Sequence, residues 1–74
     1  MQSFLIERDG YYAKVERERD GLLHGRVIGL DTVISFKAVT QRVVERNFAS
    51  ALDAYFERCK QLGIEPEKPR PLGI

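Results

Sequence analysis

The sequence predicts an α+β fold: a three- or four-stranded antiparallel sheet with one long helix packed on one of its faces. Three observations carry that expectation. Residues Tyr11 to Glu18 alternate in character, the period of a half-buried strand. Turn-forming residues fall at Asp9-Gly10, Asp20-Gly21 and Gly29 to Asp31, which divides the first half of the chain into short segments. From Val44 onward, apolar residues recur three and four apart, the spacing of a helix with one buried stripe.

The elements follow in order. Phe4 to Ile6 is a short apolar start that suits an edge strand or a strand lead-in. In the next segment Tyr11, Ala13 and Val15 point one way, and Tyr12, Lys14 and Glu16 the other. Asp20-Gly21 is a hairpin signal, because primed turns need positive φ and glycine adopts it freely. Leu22 to Ile28 is the return strand, and Thr32 to Phe36, rich in β-branched and aromatic residues, is the third. The helix is predicted from about Thr40 to Leu62, with Val44, Phe48, Ala51, Leu52, Tyr55, Phe56, Cys59 and Leu62 as its stripe. Thr40 is the expected N-cap, Gly63 the left-handed residue that closes the last turn, and Pro66 forbids continuation. A helix of about 22 residues is roughly 33 Å long, enough to cross the sheet. Residues 1–74 read as a single domain, and 65–74, with Pro66, Pro69 and Pro71, as a Pro-rich tail.

Bulk composition narrows the function classes. Twelve basic and 11 acidic residues leave a net charge of +1, so a nucleic-acid role would need a local patch and not a global field. No apolar run is long enough to span a membrane, and the first residues lack the basic and long apolar regions of a signal peptide. Cys59 is the sole cysteine, which rules out an intramolecular disulfide and a CxxC metal site; a reducing compartment, the cytoplasm, is expected. A domain of this size buries only ~60% of its unfolded surface. Self-association is the remaining source of stability, and an exposed sheet edge invites it, so a homodimer is expected.

No catalytic set stands out. His24 is the only histidine and has no serine motif or second histidine beside it, as a general base would require. Asp9, Asp20 and Asp31 sit in separate predicted turns, and Asp53 and Glu57 fall on the polar side of the helix. These carboxylates do not converge as metal-dependent nuclease chemistry demands, so no metal and no cofactor is expected. Cys59 lies in the apolar stripe and reads as a small buried hydrophobe. Pro66-Glu-Lys-Pro69 matches a short PxxP pattern, which reads as a helix stop and stiff exit before it reads as a polyproline ligand. The helix start is locally unfavourable: Arg42 and Arg46 are like charges four apart where the dipole favours acids, and Val43 falls off the stripe and is expected to be exposed. Local conflicts of this kind mark candidate functional positions.

Several segments in order resemble the HicB-like antitoxin domain. They are Gly10-Tyr-Tyr-Ala13, the run from Asp20 to Leu30, Val33-Ile-Ser-Phe36, Phe48 with Ala51 to Glu57, and Gly63-Ile-Glu-Pro-Glu-Lys-Pro69. The resemblance implies a partial, degenerate RNase H-like fold without nuclease activity. It also implies a partner, a small HicA-like toxin ribonuclease whose active site the domain occludes. Most members carry a further C-terminal DNA-binding domain. This sequence stops where that part would begin, so direct DNA binding is not expected. It also departs from the family at the helix start, where Thr or Ser is usually followed by acidic residues, and after Pro69.

The reading is thus a cytoplasmic, non-enzymatic, protein-binding antitoxin. Its candidate partner-binding residues are Tyr12, His24 and Arg26 on the strands and Arg42, Val43 and Arg46 at the helix start. The alternative is a repurposed stand-alone inhibitor from a mobile element, anti-CRISPR-like, acting on another nucleic-acid enzyme. A residual nuclease using Asp20 and Asp31 stands third.

Overall fold

A computed structural model describes residues 3–70. Four strands, β1 (Ser3–Arg8), β2 (Tyr11–Arg17), β3 (Leu23–Ile28) and β4 (Ser35–Ala38), form an antiparallel meander in the order β1-β2-β3-β4. One helix, α1 (Gln41–Leu62), follows β4 and lies across a single face of the sheet. The expected α+β class is therefore the one observed.

Strand parity sets the two faces. Phe4 pairs with Val15, Ile6 with Ala13, Ala13 with Val27, Gly25 with Phe36, and Leu23 with Ala38. These residues face α1. The core is built in two clusters, Tyr11, Ala13, Val27 and Ile34 beneath Phe48 and Leu52, and Val15, Leu23 and Ala38 beneath Val44. Gly25 has a steric reason: a Cβ there would overlap the Phe36 ring, which lies flat over it and stacks on Phe48 with centroids 5.4 Å apart. Ring and glycine together fill what a side chain would otherwise occupy.

The two Asp-Gly turns differ from each other. Asp9 and Gly10 both have positive φ, 54° and 84°, and connect the directly paired Arg8 and Tyr11. That is the primed two-residue turn. At Asp20-Gly21, where the sequence suggested such a turn, only Gly21 has positive φ. Glu18 N–H donates to Leu22 O at 2.9 Å and Gly21 N–H to Glu18 O at 3.0 Å, so the loop is a three-residue one with glycine at the left-handed position.

Helix α1 keeps its expected bounds. Thr40 Oγ1 accepts the Val43 N–H at 3.3 Å. Gly63 (φ 70°, ψ 28°) closes the C-terminus, with Gly63 N–H on Lys60 O and Ile64 N–H on Cys59 O. This double bond pattern is a Schellman closure. Two expectations fail. Leu62 is 63% exposed, because the covered part of the stripe ends at Cys59. Val43 is half-buried and packs against the Val15–Leu23–Ala38–Val44 cluster. Helical side chains lean toward the N-terminus, so a first-turn residue covers the β4–α1 junction even when it falls off the stripe.

The third predicted strand also shifts. Pairing begins at Ser35, and Thr32 and Val33 are outside the ladder. The cause lies 35 residues away, in Glu67. Its carboxylate accepts the Asp31 N–H at 2.6 Å, the Thr32 N–H at 3.1 Å and the Thr32 hydroxyl. Its backbone carbonyl accepts from the Tyr11 hydroxyl at 2.6 Å, and its N–H donates to the Tyr55 hydroxyl at 2.8 Å. Arg70 adds an N–H bond to Gly29 O at 3.1 Å and an ion pair with Asp31. The stretch expected to be a stiff exit is instead a strap that ties the β3–β4 loop to β2 and to α1, with Pro66 and Pro69 half-buried. The rest of the expected tail, with Pro71, lies outside the described residues.

The Thr32 hydroxyl and the Asp31 amide hold the Glu67 carboxyl below its ordinary value of 4.5. Burial raises the Tyr11 and Tyr55 phenols above 10.0. A depressed carboxyl stabilises the fold above its unfolded pKa, and that contribution is lost as pH falls through the folded value. A raised phenol stabilises it below its unfolded pKa, and that contribution is lost as pH rises through the folded value. Thermal melts should therefore show stability declining below pH 4.5 and again above pH 10. Glu67→Gln should lower Tm at pH 7 and flatten the acid branch. An unchanged acid branch in that variant would show that the strap carboxylate does not control it.

Candidate functional site

Among the described residues, nothing covers the face of the sheet turned away from α1. Cross-strand pairing arranges its side chains in rows. Leu5, Lys14, Arg26 and Ser35 form one row, Ser3, Glu16, His24 and Lys37 a second, and Glu7, Tyr12 and Ile28 a third. The middle of this face is a shallow depression of about 590 Å³ whose lining includes Lys14, Glu16, His24, Arg26, Ser35 and Lys37. Residues on neighbouring strands are held by the ladder, so their spacing is set before any partner arrives.

Charge is unevenly satisfied here. Lys14 Nζ lies 3.2 Å from Glu16 Oε1. Arg26 stands directly opposite Lys14, and like charges in opposed positions are unfavourable. Among the described residues neither Arg26 nor Lys37 has an ion-pair partner. Exposed Tyr12 adds an aromatic body with a polar tip on the same face.

His24 has one partner that the sequence did not reveal. Its Nε2 lies 2.9 Å from Asp20 Oδ2, across the hairpin loop. Asp20 Oδ1 accepts the Leu22 N–H at 2.9 Å. The Leu22 amide, then the His24 contact, hold the Asp20 carboxyl below its ordinary 3.8. The arrangement orients the imidazole and fixes the loop. Among the described residues no three His, Cys, Asp or Glu side chains group as a metal site would require, and no helix is long and apolar enough to cross a membrane.

The six candidate binding residues fall into separate places. Tyr12, His24 and Arg26 share the open sheet face. Arg42 and Arg46 are exposed on α1, turned away from buried Val44 and Phe48 and hence on the opposite side of the molecule. Val43 belongs to neither surface, being packed inward. Lys14 and Lys37 complete the open face and were not singled out in the sequence. The alternation through Tyr12 and Lys14 already placed Lys14 there. Lys37 was hidden because the third strand was expected to end at Phe36.

Comparison with known proteins found no matching family model, curated protein or solved structure.

Because Arg26 opposes Lys14, reversing its charge should improve the isolated fold. Arg26→Glu is expected to leave Tm equal to or above the parent value, and Arg26→Ala to keep it within about 4 °C. A marked loss of Tm in either variant, measured by circular dichroism, would assign Arg26 a structural role.

Proposed function

We propose that this protein is a non-enzymatic, HicB-like antitoxin domain that neutralises a small mRNA-cleaving toxin by covering its active site with the open face of the sheet. The observation that carries the reading is the uncovered face itself, where Tyr12, Lys14, Arg26 and Lys37 stand together on a rigid ladder. The motifs from Gly10 to Pro69 supply the family resemblance. The last of them, Glu-Pro-Glu-Lys-Pro, has a structural use here as the strap around Glu67.

Occlusion asks only for a complementary surface with a few strong anchors. Arg26 offers a planar, always charged fork that a carboxylate or phosphate can engage in two places. Tyr12 offers a large contact area at low entropic cost. The strands spend nothing on ordering their backbone when a partner docks. The protein acts in the cytoplasm, where such a toxin would reach mRNA.

The exposed Arg42–Arg46 pair favours the second reading, an inhibitor from a mobile element that grips another nucleic-acid enzyme through the outer surface of α1.

Co-expression with a small HicA-like toxin should restore growth and yield a purifiable complex. Tyr12→Ala and Arg26→Glu are each expected to weaken that complex by about 30-fold or more, the loss typical of an interface anchor. Arg42→Glu with Arg46→Glu should leave it within about 3-fold, as for residues outside the contact. Failure to form the complex ends the antitoxin reading. Loss confined to the Arg42 and Arg46 changes transfers the binding surface to the helix.

A further inference from the structure

We propose that the outer edge of β1 is a self-association surface, through which a second copy of this chain pairs antiparallel and merges two four-stranded sheets into one. The inference does not depend on the identity of the toxin or on the open sheet face as a docking site.

The two ends of the meander differ. β4 is four residues long, runs directly into α1, and has one main-chain acceptor occupied, since Asn47 Nδ2–H donates to Lys37 O at 2.8 Å. β1 is six residues long and pairs with β2 in unbroken register from Ser3 to Arg8. Edge strands are ordinarily protected by proline, a bulge, inward-pointing charge or a covering element. β1 has no proline and no bulge, and its inward positions Phe4 and Ile6 are apolar, the one inward-parity charge, Arg8, standing at the turn end of the strand. Leu5, on its other side, is 55% exposed.

A groove of about 360 Å³ runs between β1 and the first half of α1, with Ile6 and Phe48 among its lining and Gln41 and Glu45 on the helix side. A strand added to β1 would direct its own inward side chains into this space.

The sequence of β1 is complementary to itself in one register. Opposed residues in an antiparallel pair share a face, so odd positions must meet odd ones and even positions even ones. A two-fold axis at Leu5 sets Leu5 against Leu5 of the second copy. It also sets Phe4 against Ile6, Ile6 against Phe4, and Ser3 against Glu7. All three central pairs are apolar, no like charges meet, and Phe4 of the second copy enters the groove beside Ile6 and Phe48. A two-fold axis at Ile6 would instead oppose Leu5 to Glu7 and Phe4 to Arg8. The Leu5-centred register is the one that covers the exposed leucine and both half-buried side chains.

The test is light scattering on the full chain at micromolar concentration, together with cysteine cross-linking. The wild-type protein should be a dimer. Leu5→Lys, a change at an exposed position, should be a monomer with an unchanged circular dichroism spectrum. Directly opposed Cβ atoms lie about 4.5–5.5 Å apart, near the reach of a disulfide. Leu5→Cys should therefore oxidise to a covalent dimer, whereas Glu7→Cys, opposed to Ser3, should not; Cys59 is buried and stays apart. If Leu5→Lys fails to fold, the cysteine pair decides. A monomeric wild type, a dimer that survives Leu5→Lys, or cross-linking at Glu7 but not Leu5 would overturn the proposal.

Discussion

A single helix can bury one face of a sheet and no more, and both surfaces of interest in this protein follow from that limit. The buried stripe of α1, from Val44 through Phe48 and Leu52 to Cys59, commits the inward residues of β2 and β3 to the core. Their outward neighbours, Tyr12, Lys14, His24 and Arg26, are committed to solvent by the same alternation. A sheet with one wet face is an ordinary antiparallel arrangement. What distinguishes this one is that its wet face opposes two cations across a strand pair. The fold does not gain from that arrangement, and the proposed docking role is what would make use of it.

The meander would leave the long β3–β4 connection unsupported without the strap. Glu67 supplies acceptors to two amides and a hydroxyl in that loop, and its own backbone engages phenols from β2 and α1. One residue thereby couples the sheet, the loop and the helix. Tyr11 serves both layers, with its ring edge-on to Phe56 at 5.4 Å and its hydroxyl on the strap. The strap also explains why the Glu-Pro-Glu-Lys-Pro run accompanies the helix stop at Gly63. The Schellman closure turns the chain back, and the prolines hold it extended along the sheet end.

Much of this was legible in the sequence. The helix bounds, the Gly63 closure and the faces of β2 could be read directly, because each is set by local spacing and by backbone preferences. The displaced third strand has one physical origin, which is that distant groups decide local structure. Thr32 and Val33 have strand propensity, yet the Asp31 and Thr32 amides are claimed by Glu67, far along the chain, and the pairing starts later. That displacement hid Lys37. Val43 was misplaced because helical angle ignores what lies beyond the end of a helix. The partner of His24 was invisible because the loop conformation at Asp20 and Gly21 brings the two residues together.

The central claim is that partners dock on the open sheet face. The most direct test is to map amide chemical shifts of the isotopically labelled protein as the captured small toxin is added. The account predicts perturbations concentrated at Tyr12, Lys14, His24, Arg26 and Lys37, with the outer surface of α1 around Arg42 and Arg46 unmoved. Perturbations confined to that helix surface, with the strand residues unmoved, would contradict it.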